Sequence, residues 1–182
     1  MIVAGFQMDI AWEDPPSNFR RVESMVRNTL SQVENASAET RDSSAGNGEA
    51  EARLLVLPEM FATGFSMDSQ KVAGFAEETR AFLADLARSS TSYVLGGFAE
   101  PGGGRPANAC SILSPGGEEI LHYRKIHPFS MAGEDRHYTG GETLPTVRLD
   151  GVAVTALICY DLRFPEPFRP AALDTDLYCV IA

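Results

Sequence analysis

Apolar runs of four to seven residues alternate along the chain with amphipathic stretches, the pattern of strands and helices stacked in layers. The apolar runs predict strands over residues 2–7, 53–57, 93–99, 109–113, 119–125, 146–149, 152–159 and 177–181. Helical periodicity is read twice. Phe19, Val22, Met25, Val26, Leu30 and Val33 recur at three- and four-residue intervals over 18–33, with Ser17 or Asn18 placed to cap the first turn. Phe82, Leu83 and Leu86 repeat the spacing over 75–87, so each helix has one face to lay on a sheet.

Turn chemistry punctuates these elements. Asp150-Gly151 between two apolar runs predicts a tight hairpin, because glycine supplies a positive φ at little cost. The segment "SPGGEE" predicts another turn over 114–119. Residues 36–52 are polar, rich in small side chains and without apolar period. They are expected to form a flexible insertion within one domain spanning 1–182, since 1–34 alone could not bury a core. At the other end, "LYCVIA" reads as a buried strand with nothing after it to cover it, so the chain is expected to be a C-terminally shortened piece of a longer protein.

Composition narrows the function class. The formal net charge of −10 argues against a nucleic-acid surface, which collects Lys and Arg to replace phosphate counterions. No run approaches the ~20 apolar residues that span a bilayer, and "MIVAGFQMDI" lacks the basic flank of a secretory leader. Cytoplasm is therefore the expected location. The three cysteines, Cys110, Cys159 and Cys179, form no CxxC pair and fit free thiols in a reducing compartment.

At three places an apolar strand ends and a reactive side chain follows. "RLLVLPEMFATGF" delivers Glu59, "EILHYRKIHPF" delivers Lys125 and "VAVTALICYDLRFPE" delivers Cys159. Strand ends converge on the rim of a sheet, so the three could meet in one pocket. Taken singly, each has a plainer reading: a cysteine on an apolar strand is a small hydrophobe, and a charged residue at a strand end is a solvated one. Cys110 and Cys179, without the turn that follows Cys159, read as core. The glycines of "SPGGEE" and "EPGGGRPANA" lack a phosphate-binding lysine and read as turns.

The three segments together, in order and in their immediate contexts "LPEMFATGF", "YRKIHPF" and "ICYDLRFPE", resemble the signature motifs of the nitrilase superfamily, the carbon–nitrogen hydrolases. The opening "FQMDIAWEDPPSNFRRVE" is similar to that family's first strand and helix. The resemblance implies an α/β fold, a four-layer α-β-β-α sandwich, here incomplete at its C-terminus. It implies a Glu-Lys-Cys triad of Glu59, Lys125 and Cys159. Among subfamilies, "LPEMFATGFSM" and "MAGEDRHYTGGE" are most similar to omega-amidases, which implies short dicarboxylic monoamides such as 2-oxoglutaramate as substrates, with no metal or organic cofactor. It also implies a homodimer where the full-length chain is present.

In this reading the Cys159 thiolate attacks the amide carbonyl and Glu59 moves protons. Lys125 and the Tyr160 backbone N–H stabilise the oxyanion. A second glutamate that orients the reacting groups corresponds to Glu134, with Asp135 as its competitor. Arg163 either holds a substrate carboxylate or pairs with Asp161 or Glu166, the pairing being the favoured reading. Phe61, Phe129 and Tyr160 are candidates for the pocket wall. The alternatives are a different amidase or nitrilase of the superfamily, a Cys-His hydrolase using His127, or a non-catalytic fragment. A metal site from His122, His127 and His137 is disfavoured because their spacing matches no known ligand pattern.

Overall fold

The computed structural model describes residues 1–40 and 53–182. Two sheets are stacked face to face. In the first, β1 (Ile2–Gly5), β2 (Arg53–Val56), β3 (Tyr93–Glu100), β4 (Ala107–Leu113) and β5 (Glu119–Arg124) lie in that order. Strands β1 to β3 run parallel and β3 to β5 antiparallel. In the second, β6 (Thr146–Leu149) pairs antiparallel with β7 (Val152–Ile158), which pairs parallel with β8 (Leu177–Ile181). All eight predicted strands are present, with ends displaced by at most two residues.

The hairpins follow their turn residues. Asp150 and Gly151 both take positive φ, 45° and 91°, which matches the right-handed twist of β6 and β7. Between β4 and β5, Gly117 is at φ 86° and its N–H donates to the Ser114 carbonyl.

Helices α1 (Pro15–Thr40) and α3 (Ala76–Ser90) cover the outer face of the first sheet. The α1 cap differs from expectation. Asp14 accepts the Ser17 N–H at 3.1 Å, and Pro15 and Pro16 occupy first-turn positions where no N–H is needed. Asn18 lies inside the helix, fully buried, and clamps the β1–α1 loop instead. Its amide donates to the Ala11 and Ala62 carbonyls, and its carbonyl accepts from the Ala11 N–H. The helix also runs past Val33 to Thr40, so the first residues of the expected insertion are helical; 41–52 lie outside the described residues.

Two apolar cores hold the layers. Val22, Val26, Leu83, Leu86, Leu55 and Val94 fill the helix–sheet space. Leu54, Leu95, Ile112, Val154, Ile158 and Ile181 fill the space between the sheets. Strands β3, β4 and β7 are buried on both faces, which explains their unbroken apolar runs. Three short helices escaped the sequence pattern: α2 (Ser69–Ala73), α4 (Glu134–His137) and α5 (Pro165–Ala171), each too short to establish a period. Among the described residues no helix is long and apolar enough to cross a membrane.

Candidate active site

Strand direction brings the chemistry together. With β2 and β3 parallel and β4 reversed, the exits of β2 and β5 and the start of β4 share one rim, and β7 of the facing sheet ends beside it. Glu59 follows β2, Lys125 follows β5, Asn108 sits near the start of β4 and Cys159 follows β7.

Lys125 is 1% exposed, with Nζ 2.9 Å from Glu59 Oε1 and 2.9 Å from Glu134 Oε2. Burial alone would lower its pKa, but the two carboxylates outweigh that and hold the ammonium above the ordinary lysine value. Glu134, on α4, is fully buried. It accepts from Lys125, from the Asn108 amide at 2.8 Å and from the Phe129 N–H, while Asp135 points to solvent. The competition between those two acids is decided by α4, whose single turn can aim only one of two adjacent side chains inward.

Cys159 starts a 3-10 turn, Cys159–Arg163, at φ 46°. A left-handed backbone costs a non-glycine residue roughly 1–2 kcal/mol, and such strain gathers at functional sites. Met60, directly after Glu59, has the same property at φ 47°. Burial pushes the Cys159 thiol above its ordinary pKa and the Glu59 charge adds to this, while Lys125 pulls the other way. The resting thiol is thus protonated at neutral pH and needs a base to become a nucleophile.

The thiol opens onto a cavity of about 740 Å³ lined by Phe129, Met131, Tyr160, Leu162 and Arg163. Phe129 and Tyr160 pack ring against ring at 4.7 Å in its wall. Arg163 is exposed on this cavity rather than paired with Asp161, which is occupied elsewhere. Phe61 is corrected: it is fully buried in the helix–sheet core, 6.1 Å from the Phe19 ring and 6.0 Å from the Phe82 ring, because its neighbour Met60 turns the chain away from the rim. His127 turns from Cys159, stacking on Phe164 at 3.9 Å and lining a separate cavity.

Sequence reading missed three supporting residues. Asp161 is fully buried and accepts from the Tyr123 hydroxyl, the His127 N–H, the His127 ring and the Ile158 N–H, which ties the Cys159 turn to the first sheet. Asn108 bridges Glu59 and Glu134. Gly97 lets the Glu59 loop approach β3: a Cβ there would meet Met60 N at 2.9 Å and Glu59 Cα at 3.0 Å. The acid in "CYDLR" was visible, but only the fold assigns its donors.

A family model described as carbon–nitrogen hydrolase matches residues 2–182. The chain is 30% identical over 159 residues to the omega-amidase YafV of Yersinia enterocolitica, an alignment covering 87% of this chain and 54% of that protein. It is 27% identical over 172 residues to the 2-oxoglutaramate amidase of Bacillus subtilis strain 168, covering 92% and 58%. In fold it matches an amidase mutant from Nesterenkonia sp. AN1, solved after Michael addition of acrylamide at its active-site cysteine. The TM-score is 0.77 at 22% identity, covering 98% of this chain and 65% of that one. The chain thus spans little more than half the length of the two curated relatives.

Proposed function

Because this chain belongs to the carbon–nitrogen hydrolase family, we propose that it hydrolyses the amide of short dicarboxylic monoamides such as 2-oxoglutaramate, through a thioester on Cys159. The observation that carries this reading is a strained, cavity-facing thiol beside a buried ammonium that is itself bonded to two carboxylates. Those are the parts an acyl transfer to sulfur needs, and they need no metal.

Glu59 takes the Cys159 proton as sulfur attacks the amide carbonyl. The oxyanion forms against Lys125 and the Tyr160 N–H, near the start of a turn whose first amides have no partner within it. Glu59 then gives its proton to the departing nitrogen, and ammonia leaves the acyl-enzyme. Water attacks the thioester with Glu59 again as base, releasing the acid and restoring the thiol. Glu134, with both oxygens occupied, orients Lys125 rather than moving protons.

The substrate class rests on two supports. Relatives named omega-amidase and 2-oxoglutaramate amidase align over most of this chain. Arg163 also lies on the same cavity as Cys159, where a guanidinium suits the distal carboxylate of a monoamide. The free cysteines support a reducing compartment, the cytoplasm.

The test is ammonia release from 2-oxoglutaramate, glutamine, a ureido acid and a simple nitrile, with Cys159→Ala and Lys125→Met alongside. The reading expects 2-oxoglutaramate to be turned over fastest, both variants to lose at least ~100-fold, and His127→Ala to remain active. Turnover of the nitrile alone would reject the substrate class, and turnover that survives Cys159→Ala would reject the mechanism.

A further inference from the structure

We infer that Asn108 is a positioning residue that fixes which oxygen of Glu59 accepts the thiol proton; the inference rests on the amidase reading above. Asn108 is 1% exposed. Its Nδ2 lies 2.7 Å from Glu59 Oε1 and 2.8 Å from Glu134 Oε1. These contacts settle the orientation of the amide, since the reverse would set Oδ1 against two carboxylate oxygens.

Each hydrogen of Nδ2 is therefore spent on one carboxylate. Glu134 Oε2 is already taken by Lys125 and the Phe129 N–H and its Oε1 by Asn108, so Glu134, unlike Glu59, has no oxygen without a donor. Glu59 Oε1 receives two donors, Asn108 and Lys125. Proton uptake is thus directed to Glu59 Oε2, which neither donor engages. The titratable groups around Glu59 are Lys125, Glu134, the Cys159 thiol and the Tyr138 hydroxyl. Of the two side chains that donate to Glu59 Oε1, Asn108 is the neutral one, so it stabilises the carboxylate without adding another charge.

The arrangement carries a cost that a purely structural asparagine would avoid. Among the described residues, Asn108 Oδ1 is buried without a hydrogen-bond partner. An unsatisfied buried acceptor is destabilising, and its presence fits a side chain held for its amide donors.

Hydrogen bonds to the charged form lower a carboxyl pKa, so removing one raises it. Asn108→Ala should move the acid limb of kcat/KM up by about one pH unit. It should also lower kcat by roughly 10- to 100-fold with KM within about threefold. Asn108→Asp keeps the shape but replaces the donors with a third carboxyl, and should move the limb at least as far. It also serves if the alanine variant folds poorly. A parallel readout is the pH profile of iodoacetamide labelling at Cys159, followed by intact mass, Cys110 and Cys179 being buried. That profile should shift in the same direction. An acid limb unchanged from wild type in both measurements would overturn the role of Asn108, even if kcat falls. Wild-type protein that labels normally but releases no ammonia would overturn the amidase reading alone, and the labelling profile would still decide the case of Asn108.

Discussion

Replacing Asp161 with asparagine removes one charge and changes almost no volume, so its effect isolates the hydrogen bonding beneath the Cys159 turn. Asp161 Oδ1 accepts the His127 N–H at 3.0 Å and faces the His127 ring Nδ1 at 2.9 Å; Oδ2 accepts the Tyr123 hydroxyl at 2.7 Å and the Ile158 N–H at 3.1 Å. Each oxygen therefore meets one adaptable donor and one fixed backbone donor. Whichever way the new amide turns, its NH2 can be accommodated by a change of tautomer or a hydroxyl rotation on one side, but it confronts a backbone N–H on the other. That bond is lost and its donor stays buried, at about 1–3 kcal/mol. The three remaining bonds fall from charge-assisted to neutral strength, roughly 1 kcal/mol each. Burying a neutral group instead of a charge returns part of this. The net expectation is a loss of about 2–4 kcal/mol, or a fall in Tm of roughly 4–16 °C for a chain of this size. Denaturant and thermal unfolding measure it, with ammonia release alongside. Since the Ile158 N–H precedes the nucleophile directly, turnover should fall more than the folded fraction does. A loss below 1 kcal/mol with normal turnover would refute the claim that Asp161 holds the turn.

Two further outcomes follow from the geometry. Gly97→Ala forces backbone against backbone at Glu59 and Met60, so kcat should fall about 10- to 100-fold, with a stability loss of about 1–3 kcal/mol; unchanged kinetics would show that the Glu59 loop yields freely. Glu100 is buried on β3, and although burial alone would raise its pKa, His122 and Arg124 pull it down to about 2. A depressed carboxyl stabilises the fold above its ordinary value of 4.5, and that contribution is lost as pH falls toward 2. Glu100→Gln should therefore cost about 2–3 kcal/mol at pH 7, and the gap from wild type should narrow below about pH 4.5; a gap constant with pH would contradict the ion network.

The sequence alone determined the strands, because β3, β4 and β7 are buried on both faces and their apolar runs leave little choice. It determined the hairpin at Asp150 and Gly151, where the turn demands positive φ. It also marked Glu59, Lys125 and Cys159, each where an apolar strand breaks into polar residues. It misjudged Phe61, whose side follows from a strained Met60 that no local pattern announces. It favoured pairing Arg163 with Asp161 or Glu166, whereas Asp161 is taken by Tyr123, His127 and Ile158, because the burial of Asp161 is not encoded in their spacing. Only the tertiary structure chose Glu134 over Asp135, joined Asn108 to both carboxylates and required Gly97 where the Glu59 loop crosses β3. Local pattern reports which face of an element is buried. Which donor meets which acceptor depends on strands brought together from distant parts of the chain, and that pairing exists only once the two sheets are stacked.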